Sequence, residues 1–202
     1  NISLKEFPRI PHTQENRIVN GNWKQYVMNF LDSFHLAFIH PGPGGLVDMI
    51  DMPTYTTEYG KNILLQWVYT KNPEYGIPVD LVPDRLKHEE KRIFALYCFV
   101  FPNMAFNLYP WGLGAYMWMP TDNPLKTNYY WYQYMLDEEK FQKRNEIWLA
   151  QMVNDEDVDA MKRASAGLKS SFIERGQFAV DREGGPHWFS QLLYATMREN
   201  II

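Results

Sequence analysis

The chain has one cysteine, Cys98, set inside an apolar run. A disulfide framework is therefore excluded, and so is a cysteine-ligated iron–sulfur cluster held by this chain alone. No uncharged apolar run reaches the roughly 18 residues that a membrane span needs, and no signal-peptide pattern opens the sequence. A soluble, cytoplasmic protein is the expectation. Basic residues are outnumbered, 20 against 24 acidic, for a formal net charge of −4, and they form no stripe. Nucleic acid is thus not an expected partner. Histidine is scarce at five residues, and no internal repeat is visible.

Aromatic residues are abundant: 16% of 202 residues, with seven Trp and thirteen Tyr. Such content suits a deep apolar pocket, and a thick sheet core would read the same way. The length fits one domain with a sizeable core. Residues 1–20 read as a polar lead-in with an edge strand near Arg17–Val19, and residues 21–202 as the domain proper. Trp23, Tyr26, Val27, Phe30, Leu31 and Phe34 recur at helical steps, and the helix is expected to end between Phe34 and His40, ahead of the breaker run Pro41–Gly45. Strands are expected at Thr54–Tyr59, Ile63–Tyr69, Ile93–Phe101, Met104–Tyr109, Ala115–Met119 and Thr127–Tyr134. The proline-containing loop between Lys71 and Lys91 reads as a pocket cover. Glu138–Met152 reads as one helix. A second is expected to start from a cap at Asn154 or Asp155, and a last one to span Pro186–Arg198. The pattern gives an α+β domain with helices across one curved antiparallel sheet.

Two of the five histidines, His35 and His40, fall in one apolar stretch just after Asp32. Five residues apart, they are about 140° out of phase on an ideal helix, so they meet one ion only if the helix breaks first. Two imidazoles and a carboxylate would form the three-ligand face that holds ferrous iron and leaves positions open for dioxygen. Asp48, Asp51, Asp155, Glu156, Asp157 and Asp159 are all candidates for that carboxylate. The duller reading makes His35 a core histidine bonded to a backbone carbonyl and His40 the flank of a turn. Acids at a helix start are likewise favoured by the dipole alone.

The run Asn22-Trp23-Lys24, Asn29-Phe30, Asp32, His35 and His40 resembles the ferrous site of Rieske-type non-haem iron oxygenase α subunits. Phe101-Pro102-Asn103, Tyr109-Pro110-Trp111-Gly112, Glu156-Asp157 with Gly167-Leu168, and Arg182-Glu183-Gly184 with His187-Trp188-Phe189 continue the likeness. The resemblance implies a helix-grip catalytic domain that activates dioxygen at mononuclear Fe(II) to hydroxylate a small organic, aromatic substrate. It implies His35, His40 and Asp157 as iron ligands, Asp32 as the electron-transfer bridge, and Asn29 in the active-site wall. Phe34, Phe38, Leu46, Trp118 and Trp131 are candidate pocket residues. Electrons would come from NAD(P)H through a reductase or ferredoxin and a Rieske cluster (2Fe–2S), on an adjacent subunit of a homotrimer. The sequence departs from the pattern in three places. Met28 stands where many relatives carry an acid, and the usual glutamine before Gly167-Leu168 is missing. The Cys-x-His…Cys-x2-His motif is absent, so the cluster is expected from a domain ahead of Asn1 or from another polypeptide. The alternative is a non-catalytic helix-grip module binding an apolar ligand, and a zinc hydrolase is a weaker third. His12 and His88 are expected to be solvated and His187 structural.

Overall fold

A computed structural model describes residues 13–40, 46–147, 150–171 and 176–199, with residues 144–147 and 150–154 described by their backbone alone. The expected breaker run Pro41–Gly45 and the solvated His12 lie outside the described residues.

Seven strands form one antiparallel sheet in the order β1-β7-β6-β5-β4-β3-β2. They are β1 (Thr13–Asn20), β2 (Thr56–Tyr59), β3 (Ile63–Tyr69), β4 (Ile93–Val100), β5 (Met104–Tyr109), β6 (Gly112–Pro120) and β7 (Lys126–Met135). Each is rich in the aromatic and β-branched side chains that suit a pleated, half-buried surface. The edge strand expected at Arg17–Val19 is longer than its sequence signal and pairs along its full length with β7. The helices are α1 (Trp23–Leu31), α2 (Leu36–Ile39), α3 (Leu46–Met49), α4 (Glu138–Ile147), α5 (Ala150–Gly167) and α6 (Gly184–Glu199).

Helix α1 starts with a capping box. The Asn22 side chain accepts from the Lys24 N–H at 3.1 Å, and Gln25 Oε1 accepts from the Asn22 N–H at 3.0 Å. Gln25 Oε1 also accepts from Ser165 Oγ at 2.8 Å, tying α1 to α5. The apolar face of α1 lies over β6 and β7 and beside α6. Val27, Leu31, Phe99 and Phe189 are fully buried there. At Gly185 a Cβ would come within 2.5 Å of the Leu31 carbonyl oxygen, so a side chain at that position would force α6 off the end of α1.

The end of α1 corrects the expected boundary. The helix stops at Leu31, three residues before Phe34, because two side chains take over its hydrogen bonds. Gln66 Nε2, buried on β3, donates to the Leu31 carbonyl at 3.1 Å, the group that His35 N–H would have met in a continued helix. The Asp32 carboxylate instead accepts from Phe34 N–H at 2.7 Å and His35 N–H at 3.1 Å and starts the short turn α2.

Two further expectations are corrected. The backbone of α5 is already helical at Ala150 and runs through residues 154 and 155, so no cap lies there; residues 148 and 149, within the helix expected over Glu138–Met152, lie outside the described residues. The loop between Lys71 and Lys91 does not cover the pocket. It forms three short 3₁₀ turns whose Ile77, Leu81, Val82 and Leu86 pack with Trp67, Ile93, Leu96 and Leu108. Leu96 and Leu108 point away from Tyr97 and Tyr109, their pocket-lining chain neighbours, because successive strand side chains alternate in face.

Candidate metal centre

The break after Leu31 sets where the histidines point. His35 begins the turn that Asp32 nucleates, and His40 ends it, its N–H bonded to the Leu36 carbonyl at 3.2 Å. The two imidazole rings then lie 5.4 Å apart between centroids at 76°. Asp157 enters from α5, and its Oδ1 lies 3.1 Å from His40 Nε2 and 3.6 Å from His35 Nε2. One ligand atom from each of the three residues falls within 4.8 Å of the others. His40 is 2% exposed.

The outer nitrogens of both rings face carboxylates. His40 Nδ1 is 2.8 Å from Glu156 Oε2, and His35 Nδ1 is 3.4 Å from Asp32 Oδ2. The first is a hydrogen bond; the second is a close approach without one, since His35 Nδ1 carries no hydrogen bond. Asn29 Nδ2 donates to Asp157 Oδ1 at 2.9 Å and steadies that carboxylate from α1. Burial disfavours the His40 imidazolium, but hydrogen bonds from the ring to Asp157 and Glu156, and their charges, outweigh it and raise its pKa.

Of the six carboxylates open from the sequence, Asp157 alone among the described residues meets both imidazoles. Asp51 pairs loosely with Lys91 at 3.9 Å, Asp155 with Arg17 at 3.5 Å, and Asp159 with Arg163 at 2.7 Å. Asp48 is exposed on α3. Glu156 takes a supporting place that sequence reasoning missed. The sequence offered it as a candidate ligand and as half of the Glu156-Asp157 pair; on a helix that adjacency turns it about 100° away to reach the far side of a shared partner.

The donor set fits a divalent transition metal. Two imidazole Nε2 atoms and one carboxylate oxygen form a single face that leaves the opposite side free, the arrangement used for ferrous iron. A histidine ligand whose other nitrogen bonds a carboxylate is held in one tautomer and made more basic. Nothing comparable fits an iron–sulfur cluster. Cys98 is the sole thiol, on β4, and burial pushes its pKa up, away from the thiolate that ligation requires.

The metal-competent trio opens on a cavity over the sheet. Its floor follows the strand register: Tyr97, Asn107, Gly114 and Gln133 form one row across β4 to β7, and Tyr116 and Trp131 stand in the next. Gly114 hollows that floor, because a Cβ there would stand 3.0 Å from the Tyr116 ring. Phe30 roofs it from α1, with ring contacts to Tyr97, Tyr116 and Trp118 at 6.2, 6.3 and 5.5 Å. Tyr109 stacks on Trp111 at 4.9 Å, and Tyr116 stacks between Trp118 and Trp131. Burial drives the Tyr97, Tyr109, Tyr116 and Tyr129 phenols upward in pKa, so all stay neutral; Asn107 and Trp131, facing the Tyr116 hydroxyl, partly oppose its rise.

Asn29, Asp32, Leu46, Trp118 and Trp131 all line this cavity. Phe34 and Phe38 do not, which corrects their expected place in the pocket. They are 44% and 64% exposed and pack on each other at 5.1 Å, because the early break of α1 turns that stretch outward. His88 is exposed, and His187 lies on α6, where it meets Phe178 at 5.4 Å. Among the described residues no helix is long and apolar enough to cross a membrane.

Comparison with known proteins places this geometry. The choline monooxygenase of Arabidopsis thaliana, named as chloroplastic, is 30% identical over 188 residues, 89% of this chain and 40% of its own length. The chain thus spans less than half of that relative. The solved quaternary ammonium Rieske monooxygenase CntA, in complex with an inhibitor, superposes with a TM-score of 0.72 at 19% identity, over 94% of this chain and 50% of the other. Dicamba monooxygenase bound to its dichlorosalicylic acid ligand superposes at 0.61 and 13% identity, over 94% of this chain and 59% of the other. These likenesses show a shared fold. The family model for the ring hydroxylating alpha subunit (catalytic domain) matches residues 4–199. The chain belongs to the family of ring-hydroxylating oxygenase alpha-subunit catalytic domains.

Proposed function

We propose that the chain is the iron-bearing half of a Rieske-type monooxygenase acting on a small quaternary ammonium cation. The convergence of His35, His40 and Asp157 at the wall of an aromatic-lined cavity carries this reading. The choline and CntA relatives, both named monooxygenases, support the reaction type and the substrate class. The helix-grip description is part of the same reading, supported by α1 lying over β6 and β7 and by Trp188 and Phe189 of α6 packing on Phe99 of β4.

His35, His40 and Asp157 would hold Fe(II). When bound, the iron supplies activation of dioxygen, so that one oxygen atom enters a C–H bond and the other leaves as water with two electrons and two protons. This chain's own residues do the rest. Neutral aromatic faces attract a cation through their ring quadrupoles, most strongly where water is excluded. Among the described residues Asp32 and Asp157 line the cavity and offset the charge of a bound Fe(II), while no lysine or arginine lines it to oppose a positive guest. Glu156 orients the His40 ring, Asp32 holds the backbone of His35, and Asn29 fixes Asp157. Asp32, between His35 and the surface around Ser33 and Phe34, is the proposed route for electrons from a Rieske cluster outside this chain. An adjacent subunit of a homotrimer, a ferredoxin and an NAD(P)H-dependent reductase are the proposed partners, in the cytoplasm. The carrier alternative accounts for the cavity but not for two imidazoles and a carboxylate converging in it.

Oxygen uptake tests the proposal. With iron bound, a reduced Rieske component and NAD(P)H present, uptake should rise on adding a trimethylammonium compound, with one equivalent of oxygenated product. Uptake indifferent to such compounds overturns the substrate class, and a wild-type chain that binds no iron overturns the reaction.

A further inference from the structure

Two polar atoms in the cavity have no hydrogen-bond partner. Asn107 Oδ1 on β5 and Trp131 Nε1 on β7 are sealed from bulk solvent and unpaired, in side chains 6% and 8% exposed. Both residues line the cavity. Leaving such groups unsatisfied is costly, and native interiors rarely do so without a ligand or ordered water to answer them. One is an acceptor and the other a donor, and on the strand between them the Tyr116 hydroxyl comes within hydrogen-bonding reach of both side chains without completing a well-aligned bond to either atom. Asn107 Nδ2 is taken up at long range by the Tyr109 hydroxyl at 3.4 Å, which leaves its oxygen as the free end.

We infer that Asn107, Trp131 and Tyr116 form a specificity station for a neutral hydroxyl on the substrate's tail. This deepens the proposed function and rests on it. A hydroxyl accepts from the indole N–H and donates to the amide oxygen, answering both atoms at once. A carboxylate is acceptor-only, so it answers the indole but sets its charge against the amide oxygen. Among the described residues no lysine or arginine lines the cavity to neutralise that charge. An alkyl tail leaves both atoms unanswered. The station therefore selects a cation bearing an alcohol over a cation bearing an acid or a plain chain. Rejecting a substrate that lacks a needed hydroxyl is where buried polar groups discriminate best. Asn107 and Trp131 are specificity residues, set apart from the metal ligands by their place on the sheet floor.

Equilibrium binding to the iron-loaded, dioxygen-free protein tests this with four probes: choline, propyltrimethylammonium, glycine betaine, and dimethylbutanol, the uncharged carbon isostere of choline. Choline should bind roughly tenfold tighter than propyltrimethylammonium, the usual net effect of one or two neutral hydrogen bonds. It should exceed glycine betaine by at least about the same factor. In Asn107→Leu and Trp131→Phe, the preference for choline over propyltrimethylammonium should fall towards unity, while propyltrimethylammonium itself binds as before. Equal binding of choline and propyltrimethylammonium to the wild type overturns the station, as does tighter binding of glycine betaine; both readings come from unmodified protein and survive a variant that does not fold. If dimethylbutanol matches choline, the cation reading fails instead, while the hydroxyl preference stands or falls on the two variants.

Discussion

Glu156 Oε2 lies 2.8 Å from His40 Nδ1, on the opposite side of the ring from the nitrogen that meets Asp157. The neighbouring acids Glu156 and Asp157 thus grip one imidazole from both sides. Removing the outer grip should weaken metal binding without abolishing it. Glu156→Gln is expected to lower iron affinity about 10- to 100-fold, the usual cost of losing a supporting carboxylate. A chelator competition against ferrous iron measures this, and wild-type affinity in that variant would show that Glu156 is only a surface acid.

Asp32 has two tasks that substitution can separate. Its carboxylate caps α2 through Phe34 and His35 N–H, and its charge faces His35 Nδ1. Asp32→Asn keeps a capping side chain, so it should retain iron and fold while slowing electron delivery. Asp32→Ala should also retain iron but lose about 0.5–2 kcal/mol of stability with the cap. Thermal melts and single-turnover reoxidation of a reduced Rieske partner distinguish the two effects. An iron-free Asp32→Ala protein would contradict the bridge assignment.

The pH dependence should change sign with iron. The folded pKa of His40 is raised, because its contacts with Asp157 and Glu156 outweigh the opposing effect of burial. In the iron-free chain its contribution to stability is therefore fully present below the unfolded value of about 6.5 and lost as pH rises through the folded value. Ferrous iron needs the neutral ring, so iron affinity should fall as pH drops through that same folded value. Melting temperatures of iron-free wild type and His40→Gln across about pH 5.5–8.5 should converge at the alkaline end. A constant gap between them would show that His40 does not titrate as described.

The hollow at Gly114 should be needed for substrate and not for metal. A Cβ there meets the Tyr116 ring at 3.0 Å, and a branched side chain adds bulk to the floor itself. Gly114→Val should raise KM by roughly tenfold or more while leaving iron content unchanged, since overpacking a tight site, here with the three carbons of an isopropyl group, costs about 1–3 kcal/mol. Loss of iron with the substitution would mean that the floor supports the ligands rather than the guest.

The strands were legible because each carries its own signal. Ile63–Tyr69 and Met104–Tyr109 match their expected bounds residue for residue, since aromatic and β-branched runs there end at turn-forming residues. The break in α1 was not legible in place. It depends on Gln66, thirty-five residues away in sequence, taking the Leu31 carbonyl. Apolar spacing therefore carried the expected helix on past Phe34, and Phe34 and Phe38 with it into the pocket. The acidic run at 155–157 read as a helix start, as acids in a first turn do. Its side chains instead serve Arg17, His40 and the His35–His40 pair, contacts that only the closed sheet brings within reach. Trp131 was already a candidate pocket residue in the sequence, whereas Asn107 carried no signal beyond belonging to a strand, and the unpaired atoms of both exist only in the assembled register.

Iron stoichiometry in wild type and Asp157→Ala, reconstituted anaerobically with ferrous iron side by side, tests the central claim most directly. The two-imidazole, one-carboxylate face predicts about one iron per wild-type chain and almost none in the variant, with both proteins folded. Full occupancy in Asp157→Ala, or an iron-free wild type, would contradict it.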